Sequence, residues 1–254
     1  GVAALPRGTY AVDARLMPYL VVTDLDGTLL RPDHTVSERT RQALRTAQAA
    51  GVDVMYATGR PPRWLEAVYE TTQHRPITIC ANGALTLYRG DPLNIEAIPD
   101  ETVEQVHALL VGLRSDFVFR TERWNGHTLK LLAAVPDLPQ DHADEVLEQV
   151  RSLAGHLVEP THSAFGQLLI EMGPSGVTKA RALRRLIDER WPDRTVIAIG
   201  DMPNDLALLQ AVDLPMTVAS GHPSLRHLTQ RVLPSPAEDG VAQLLERLIA
   251  GDAP

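Results

Sequence analysis

Short apolar segments alternate with helix-forming segments through the first third of the chain. Residues 19–23, 52–57 and 77–80 are rich in aliphatic and β-branched side chains, and a polar cluster follows each of them. Between the first two segments, Ser37 can cap a helix that Gly51 would end. Strands that alternate with helices indicate βαβ units and a parallel sheet covered on both faces. We therefore predict an α/β fold with a doubly wound, Rossmann-like parallel sheet.

The alternation changes in the middle of the chain. Between residues 85 and 172, strand-like pieces alternate with two helix-like pieces, and Pro and Gly residues separate them, which is typical of a separate α+β unit. The first pattern then returns, with a helix predicted over 178–190 and a strand over 195–199. We predict a core formed by residues 20–84 and 173–254, with an α+β domain inserted over 85–172.

Composition excludes several classes of function. The 254 residues carry 24 Lys and Arg against 32 Asp and Glu, a net charge of −8 that disfavours a nucleic-acid partner. All apolar stretches are shorter than the roughly 20 residues that cross a bilayer, so we expect no membrane partner and a cytoplasmic protein. Cys80 is the only cysteine, which excludes an intramolecular disulfide. Residues 1–19 show no clear period and are either a disordered leader or an upstream extension. The chain is expected to be a monomer or a small homo-oligomer.

Acidic residues follow two of the predicted strands. Asp24 and Asp26 come directly after the first strand, Asp201 follows the strand over 195–199, and Asp205 lies four positions further on. Ligands of doubly wound sheets collect at the carboxyl ends of the strands. Two alternatives remain open at this point: Asp24 and Asp26 as solvated loop acids, and Asp205 as a helix-capping residue only. Taken together, the carboxylates offer the hard oxygen ligands that suit Mg²⁺.

Groups that bind anions follow the other strands. Thr58, Gly59 and Arg60 offer a hydroxyl, an unobstructed backbone amide and a guanidinium, and Asn82 follows the third strand. Lys179 stands at the start of a predicted helix, where a cation is poorly placed for the helix dipole, and this indicates an anionic neighbour. The segment before Lys179 is not a P-loop, because it lacks the glycine that precedes the lysine of that motif.

Together these clusters resemble the four motifs of the haloacid dehalogenase superfamily of phosphohydrolases. The matching residues are 24–29 for the first motif, Thr58 for the second, Lys179 for the third and 200–205 for the fourth. The resemblance implies a core of the fold predicted above, interrupted by a cap domain. Asp26 favours phosphoryl chemistry, because the dehalogenases of this superfamily lack that second aspartate.

Further stretches resemble the Cof-type branch of the superfamily, which carries a large α+β cap between the second and third motifs. They are residues 58–61, 81–84 and 238–241. Residues 201–205 and 212–215 are also similar to mannosyl-3-phosphoglycerate and sucrose phosphatases.

The resemblance implies a catalytic role for four side chains. Asp24 would attack the phosphorus and form an aspartyl-phosphate that water later hydrolyses. Asp26 would protonate the leaving oxygen and then deprotonate the attacking water. Thr58 would hold the phosphoryl oxygens, and Lys179 would neutralise Asp24 and the transferred group.

The resemblance also implies a Mg²⁺ cofactor. The residues of the metal site would be Asp24, Asp26 through its carbonyl, Asp201 and Asp205, with Asp205 either binding the ion directly or orienting a metal-bound water or Lys179. The residues expected to bind substrate are Thr58, Gly59, Arg60, Asn82, Lys179 and Asn204.

The expected substrate is a small phosphorylated metabolite, by family analogy a sugar or polyol phosphate. A mannosyl-3-phosphoglycerate-type phosphatase, a sugar-phosphate mutase with the same aspartate pair, and a non-catalytic phosphate-binding protein are the alternatives. The candidate cap contacts to the leaving group are Arg120, Arg123, Trp124, His127 and Lys130.

Overall fold

The computed structural model describes residues 18–135, 142–162 and 168–254. In chain order, its strands are β1 (Tyr19–Thr23), β2 (Asp53–Ala57), β3 (Thr78–Cys80), β4 (Leu85–Tyr88), β5 (Asp91–Ile95), β6 (Val118–Trp124), β7 (His127–Val135), β8 (Val158–His162), β9 (Leu168–Pro174), β10 (Thr195–Gly200), β11 (Leu214–Val218) and β12 (Arg231–Leu233). Its α-helices are α1 (Glu38–Ala49), α2 (Leu65–Thr72), α3 (Asp100–Leu113), α4 (Ala143–Ala154), α5 (Lys179–Arg190), α6 (Leu206–Gln210) and α7 (Gly240–Ala250).

A large sheet forms the core, with the strand order β12-β11-β10-β1-β2-β3-β4-β5. Neighbouring strands from β12 to β3 pair in parallel. In β1, Val21 packs into the apolar cluster that includes α1 and α7, whereas Leu20 and Val22 pack into the cluster that includes α5 and α6. This alternation places helices on both faces of the sheet, and the predicted α/β fold is confirmed.

The far edge of this sheet differs from the sequence prediction. Strands β4 and β5, which fall in the segment assigned to the insert, extend it by antiparallel pairing, so the large sheet continues to Ile95. The two strands are joined by a tight turn in which Arg89 and Gly90 both have positive φ. A hairpin needs no crossover helix, and the βα rhythm of the sequence therefore gave no sign of this extension.

A second, antiparallel sheet with the order β6-β7-β9-β8 carries its own apolar cluster. Leu110 of α3 and Val150 of α4 pack there against Ala133 and Ile170 of the sheet. This arrangement confirms the α+β character of the middle segment.

At the N-terminus, Pro18 accepts from the N–H of Thr195 and Tyr19 already belongs to β1, whereas residues 1–17 of the predicted leader lie outside the described residues. Among the residues that the structure describes, no helix combines the length and the apolarity that a membrane crossing requires.

Candidate active site

Asp24, Lys179 and Asp205 form a buried cluster of charges at the carboxyl edge of the large sheet. Asp24 follows β1, and its backbone N–H donates to the carbonyl of Ile199 at 2.9 Å. Lys179, the first residue of α5, donates from Nζ to Asp24 Oδ1 at 2.7 Å and to Asp205 Oδ1 at 2.8 Å. The anionic neighbours expected beside Lys179 are therefore two carboxylates, brought together from three segments of the chain.

Asp205 is both a capping residue and a member of this cluster. Its second oxygen, Oδ2, accepts from the backbone N–H groups of Asp201 at 3.1 Å and Met202 at 3.2 Å. Close packing against Gly200 fixes its position, because a Cβ at that glycine would lie 2.6 Å from the Asp205 Cβ. Asp205 therefore has both roles considered from the sequence: Oδ2 caps the turn, and Oδ1 binds Lys179.

Asp201 completes the acidic group. Its Oδ1 accepts from Thr28 Oγ1 at 3.2 Å. Gly27, with φ of 76°, leaves room for this carboxylate, since a Cβ at that position would overlap it. Carboxylate oxygens of Asp24, Asp201 and Asp205 all lie within 4.8 Å of one another.

The acidic group is short of positive charge. Burial raises the pKa of Asp24 well above its ordinary value, because the attraction of Lys179 does not outweigh lost hydration together with repulsion from Asp205 and Asp201. Burial, and then repulsion from Asp205, raises the pKa of Asp201 to about 7. Burial lowers the pKa of Lys179, but Asp205 and Asp24 more than reverse this effect, so it stays protonated.

The donor set fits a divalent cation. Three carboxylates face a single ammonium, which leaves two negative charges uncompensated when all three are ionised. Hard oxygen donors at this spacing are the ligands that divalent cations such as Mg²⁺ take from proteins. The carboxylate of Asp26 lies outside the group.

Asp26 instead forms a fork with Arg60. The guanidinium donates from Nε to Asp26 Oδ2 at 2.7 Å and from Nη2 to Asp26 Oδ1. His34, which sequence reasoning missed, lies beside both, with its Nδ1 at 3.4 Å from Asp26 Oδ1. The Asp26 side chain is 49% exposed, so solvent can reach it.

The segment after β2 lies beside the loop that carries Asp26, which Arg60 contacts. Thr58 is buried, and its Oγ1 accepts from the backbone N–H of Arg60 at 3.0 Å. The N–H of Asn82 donates to the Thr58 carbonyl at 3.2 Å, and Asn82 adopts the left-handed region, with φ of 57°. A Cβ at Gly59 would lie 2.9 Å from Asn82 Oδ1. The segments after β2 and β3 thus pack against each other.

The five residues of the insert that were expected to contact the substrate differ in their burial. Arg120, Arg123 and His127 are exposed, and Trp124 is half-buried. Lys130 is buried and reaches the core, where its Nζ donates to the carbonyl of Gly59 at 2.8 Å.

Two residues remain to be placed, Asn204 from the predicted substrate-binding set and Glu171 from outside it. Asn204 is exposed, in a helical turn next to Asp205. Glu171, which sequence reasoning missed, pairs with Lys130 and accepts from Asn82 Nδ2 at 2.9 Å. A single acid within the otherwise apolar strand β9 was the signal that could have revealed it.

Comparison with known proteins agrees with this geometry. A family model described as haloacid dehalogenase-like hydrolase matches residues 21–128 and 121–245, which together span most of the chain.

Two similar curated proteins are phosphatases. The chain is 26% identical to 5-amino-6-(5-phospho-D-ribitylamino)uracil phosphatase YitU of Bacillus subtilis, over 90% of this chain and 97% of the relative. It is also 26% identical to a phosphoglycolate phosphatase of Methanopyrus kandleri, over 92% of this chain and 98% of the relative.

Among solved structures, a Streptococcus mutans UA159 protein superposes with a TM-score of 0.80 at 17% identity, covering 91% of this chain and 98% of that one. These alignments include the core and the insert alike.

Proposed function

The chain belongs to the haloacid dehalogenase-like hydrolases and is a phosphoric monoester hydrolase, and on this premise we propose that it is a magnesium-dependent phosphatase. Its substrate is a small phosphorylated metabolite, and the reaction passes through an aspartyl-phosphate on Asp24.

The contact of Lys179 with Asp24 is the observation that carries this proposal. The ammonium holds Oδ1 of Asp24 at 2.7 Å, in a position where few water molecules compete for the carboxylate. A carboxylate held in this way is oriented for attack on phosphorus, and covalent catalysis divides one difficult displacement into two easier ones. The ammonium also offsets the charge that develops when an anionic nucleophile meets an anionic phosphate.

Asp26 is the proton carrier of the proposed reaction. In the first step it gives a proton to the leaving oxygen, and in the second it takes one from the water that attacks the aspartyl-phosphate. Its exposure supports this role, since the group must meet both a leaving alcohol and a water molecule. Arg60, through its fork with the Asp26 carboxylate, orients this group and adds positive charge near the phosphoryl site.

Asp24, Asp201 and the Asp26 carbonyl would hold the cation, while Asp205 fixes Lys179 and the backbone around Asp201. When bound, Mg²⁺ supplies charge neutralisation between the nucleophile and the phosphoryl group. The Thr58 hydroxyl and the amides beside it bind the phosphoryl oxygens.

We infer that the leaving group is a sugar or a polyol. The Bacillus subtilis relative is named for a phosphorylated ribityl chain and the Methanopyrus kandleri relative for phosphoglycolate, and both names describe small polar phosphate esters. Exposed polar groups on the insert near its Asn125-Gly126 turn suit a hydroxylated leaving group better than an apolar one.

The test is phosphate release from sugar phosphates, polyol phosphates, phosphorylated glycerates and nucleotides, with Mg²⁺ and with chelator. We expect release from a few sugar or polyol phosphates that depends on Mg²⁺. Selective release from mannosyl-3-phosphoglycerate would point to the dedicated phosphatase instead. Isomerisation that requires a bisphosphate activator would identify a mutase.

Asp24→Asn is the matching variant, because it removes the nucleophile and keeps the shape of the side chain. We expect hydrolysis to be lost while the circular dichroism spectrum stays that of the unaltered protein. Turnover equal to that of the unaltered protein would disprove the role of Asp24.

A further inference from the structure

Lys130 and Glu171 form a buried ion pair where the insert meets the core. Lys130 is 1% exposed and Glu171 8% exposed, and their side chains lie 2.9 Å apart. Removing two charges from water costs several kcal/mol per ion unless further hydrogen bonds compensate. Stability alone therefore does not explain why an oppositely charged pair is buried at this position.

The register of the small sheet explains which way the pair faces. Leu131 lies opposite Met172 in the pairing of β7 with β9, and both belong to the apolar cluster under α3 and α4. Because side chains alternate along a strand, Lys130 and Glu171 lie on the opposite face. From there both reach the core: Lys130 Nζ donates to the Gly59 carbonyl, and Glu171 Oε2 accepts from Asn82.

A hydrogen bond links the peptide that Lys130 contacts to the side chain of Thr58. The Gly59 carbonyl and the Arg60 N–H belong to one peptide group, and this N–H donates to Thr58 Oγ1 at 3.0 Å. A cation on the carbonyl polarises the peptide and strengthens its N–H as a donor. Because the Thr58 oxygen accepts that bond, its own O–H proton is left to point elsewhere.

We propose that Lys130 and Glu171 are positioning residues that hold the Gly59–Arg60 peptide and so orient the Thr58 hydroxyl toward the phosphoryl group. This inference rests on the proposed function. In this arrangement the phosphate site is complete only when the insert is docked on the core. Lys130 and Glu171 act without touching the substrate.

The test uses a neutral pair of substitutions in the full-length protein. Lys130→Met together with Glu171→Gln leaves no unpaired charge buried, and the glutamine can still accept from Asn82. We expect the free energy of unfolding to stay close to that of the unaltered protein while kcat falls about ten- to hundredfold, as for a misplaced binding group. Wild-type kcat in this stable double variant would overturn the proposal.

A double-mutant cycle identifies the route of the effect. In a Thr58→Val background the hydroxyl is gone, so the Lys130→Met/Glu171→Gln pair is expected to lower kcat by less than twofold further. Full additivity of the two losses would contradict action through Thr58.

Arg63→Met is the matched control. Arg63 pairs with Glu122 of β6, so its loss also removes a contact between the insert and the core, yet it touches neither Gly59 nor Asn82 in the structure. We expect kcat within twofold of the unaltered protein. A loss as large as that of the double variant would mean that docking in general, and not the Gly59 contact, is responsible.

Amide hydrogen exchange at Arg60 separates this inference from the proposed function. Its N–H should exchange faster in Lys130→Met/Glu171→Gln than in the unaltered protein and Arg63→Met. If faster exchange accompanies an unaltered protein that hydrolyses no phosphate ester, the positioning contact stands and the proposed function fails. Unchanged exchange overturns the positioning role whatever the activity.

Discussion

At the scale of single residues, the carboxyl group of Asp201 shows how the site depends on charge. It lies beside two other buried acids, and its pKa is raised to about 7 by burial and by Asp205. An unfolded aspartate ionises near pH 4. Between about pH 4 and 7, the folded protein therefore binds more protons than the unfolded chain does.

This difference in bound protons determines how the free energy of unfolding changes with pH. Without divalent cations, the free energy of unfolding should fall as the pH rises from about 4 to 7, because the folded state must give up a proton that it holds more tightly. Urea unfolding in chelator at pH 5 and pH 8 measures this fall. Mg²⁺ should then stabilise the protein more at pH 8 than at pH 5, since the carboxylate is ionised only at the higher pH.

Asp201→Asn provides the control for this dependence. The variant cannot ionise at this position, so it should lose less stability over the same pH range and gain less from Mg²⁺. A variant whose stability changes with pH as much as that of the unaltered protein would assign the effect to other groups.

At the scale of elements, Lys179, the first residue of α5, holds the carboxylate of Asp24, the proposed nucleophile. Thr178 caps this helix, with its hydroxyl accepting from the N–H of Arg181 at 3.1 Å. Ser37 caps α1 in the same way, accepting from Thr40 N–H at 3.0 Å. The two caps are chemically equivalent, but only one of them supports a helix that begins with an active-site residue.

Thr178→Ala should therefore reduce both stability and activity, whereas Ser37→Ala should reduce stability alone. Each substitution costs about 1 kcal/mol, the usual value of a lost N-cap. Fraying at the start of α5 would also displace the Lys179 ammonium, and we expect kcat to fall severalfold in Thr178→Ala. Chemical denaturation and steady-state kinetics measure the two effects, and equal kcat in both variants would contradict a role for this cap in the site.

At the scale of the whole molecule, most apolar side chains of the insert form a cluster of their own, although Leu129 of β7 belongs to one of the two core clusters. We propose that the core and the insert each respond as a separate cooperative unit, with the insert lying between β5 and α5. Regions with separate clusters of apolar contacts can open independently of each other.

Two cavity-forming substitutions test this division. Leu110→Ala in α3 and Leu244→Ala in α7 each empty a fully buried position and should destabilise the surrounding unit by about 2–5 kcal/mol. Hydrogen exchange read by mass spectrometry should accelerate across the insert in the first variant and across the large sheet in the second. Acceleration throughout the molecule in both variants would show a single cooperative unit.

The predictable part of the fold and of the site is local in sequence. The side chains of residues 19–23 predict a buried strand, and Ser37 predicts the start of a helix. Both predictions are possible because strand burial and helix capping depend on residues close in sequence. In contrast, the β4–β5 hairpin was assigned to the insert, since its pairing with β3 depends on a tight turn and not on a periodic pattern.

The sequence alone determined that Asp24, Thr58, Lys179 and Asp201 lie at the ends of elements, where a parallel sheet gathers ligands. Only the tertiary structure decided which atoms meet. It gave Lys179 two carboxylates, turned Asp26 toward Arg60, and buried Lys130 where a surface contact to substrate was expected. The physical reason is that charge pairing and burial depend on distances between segments far apart in the chain, which no local pattern encodes.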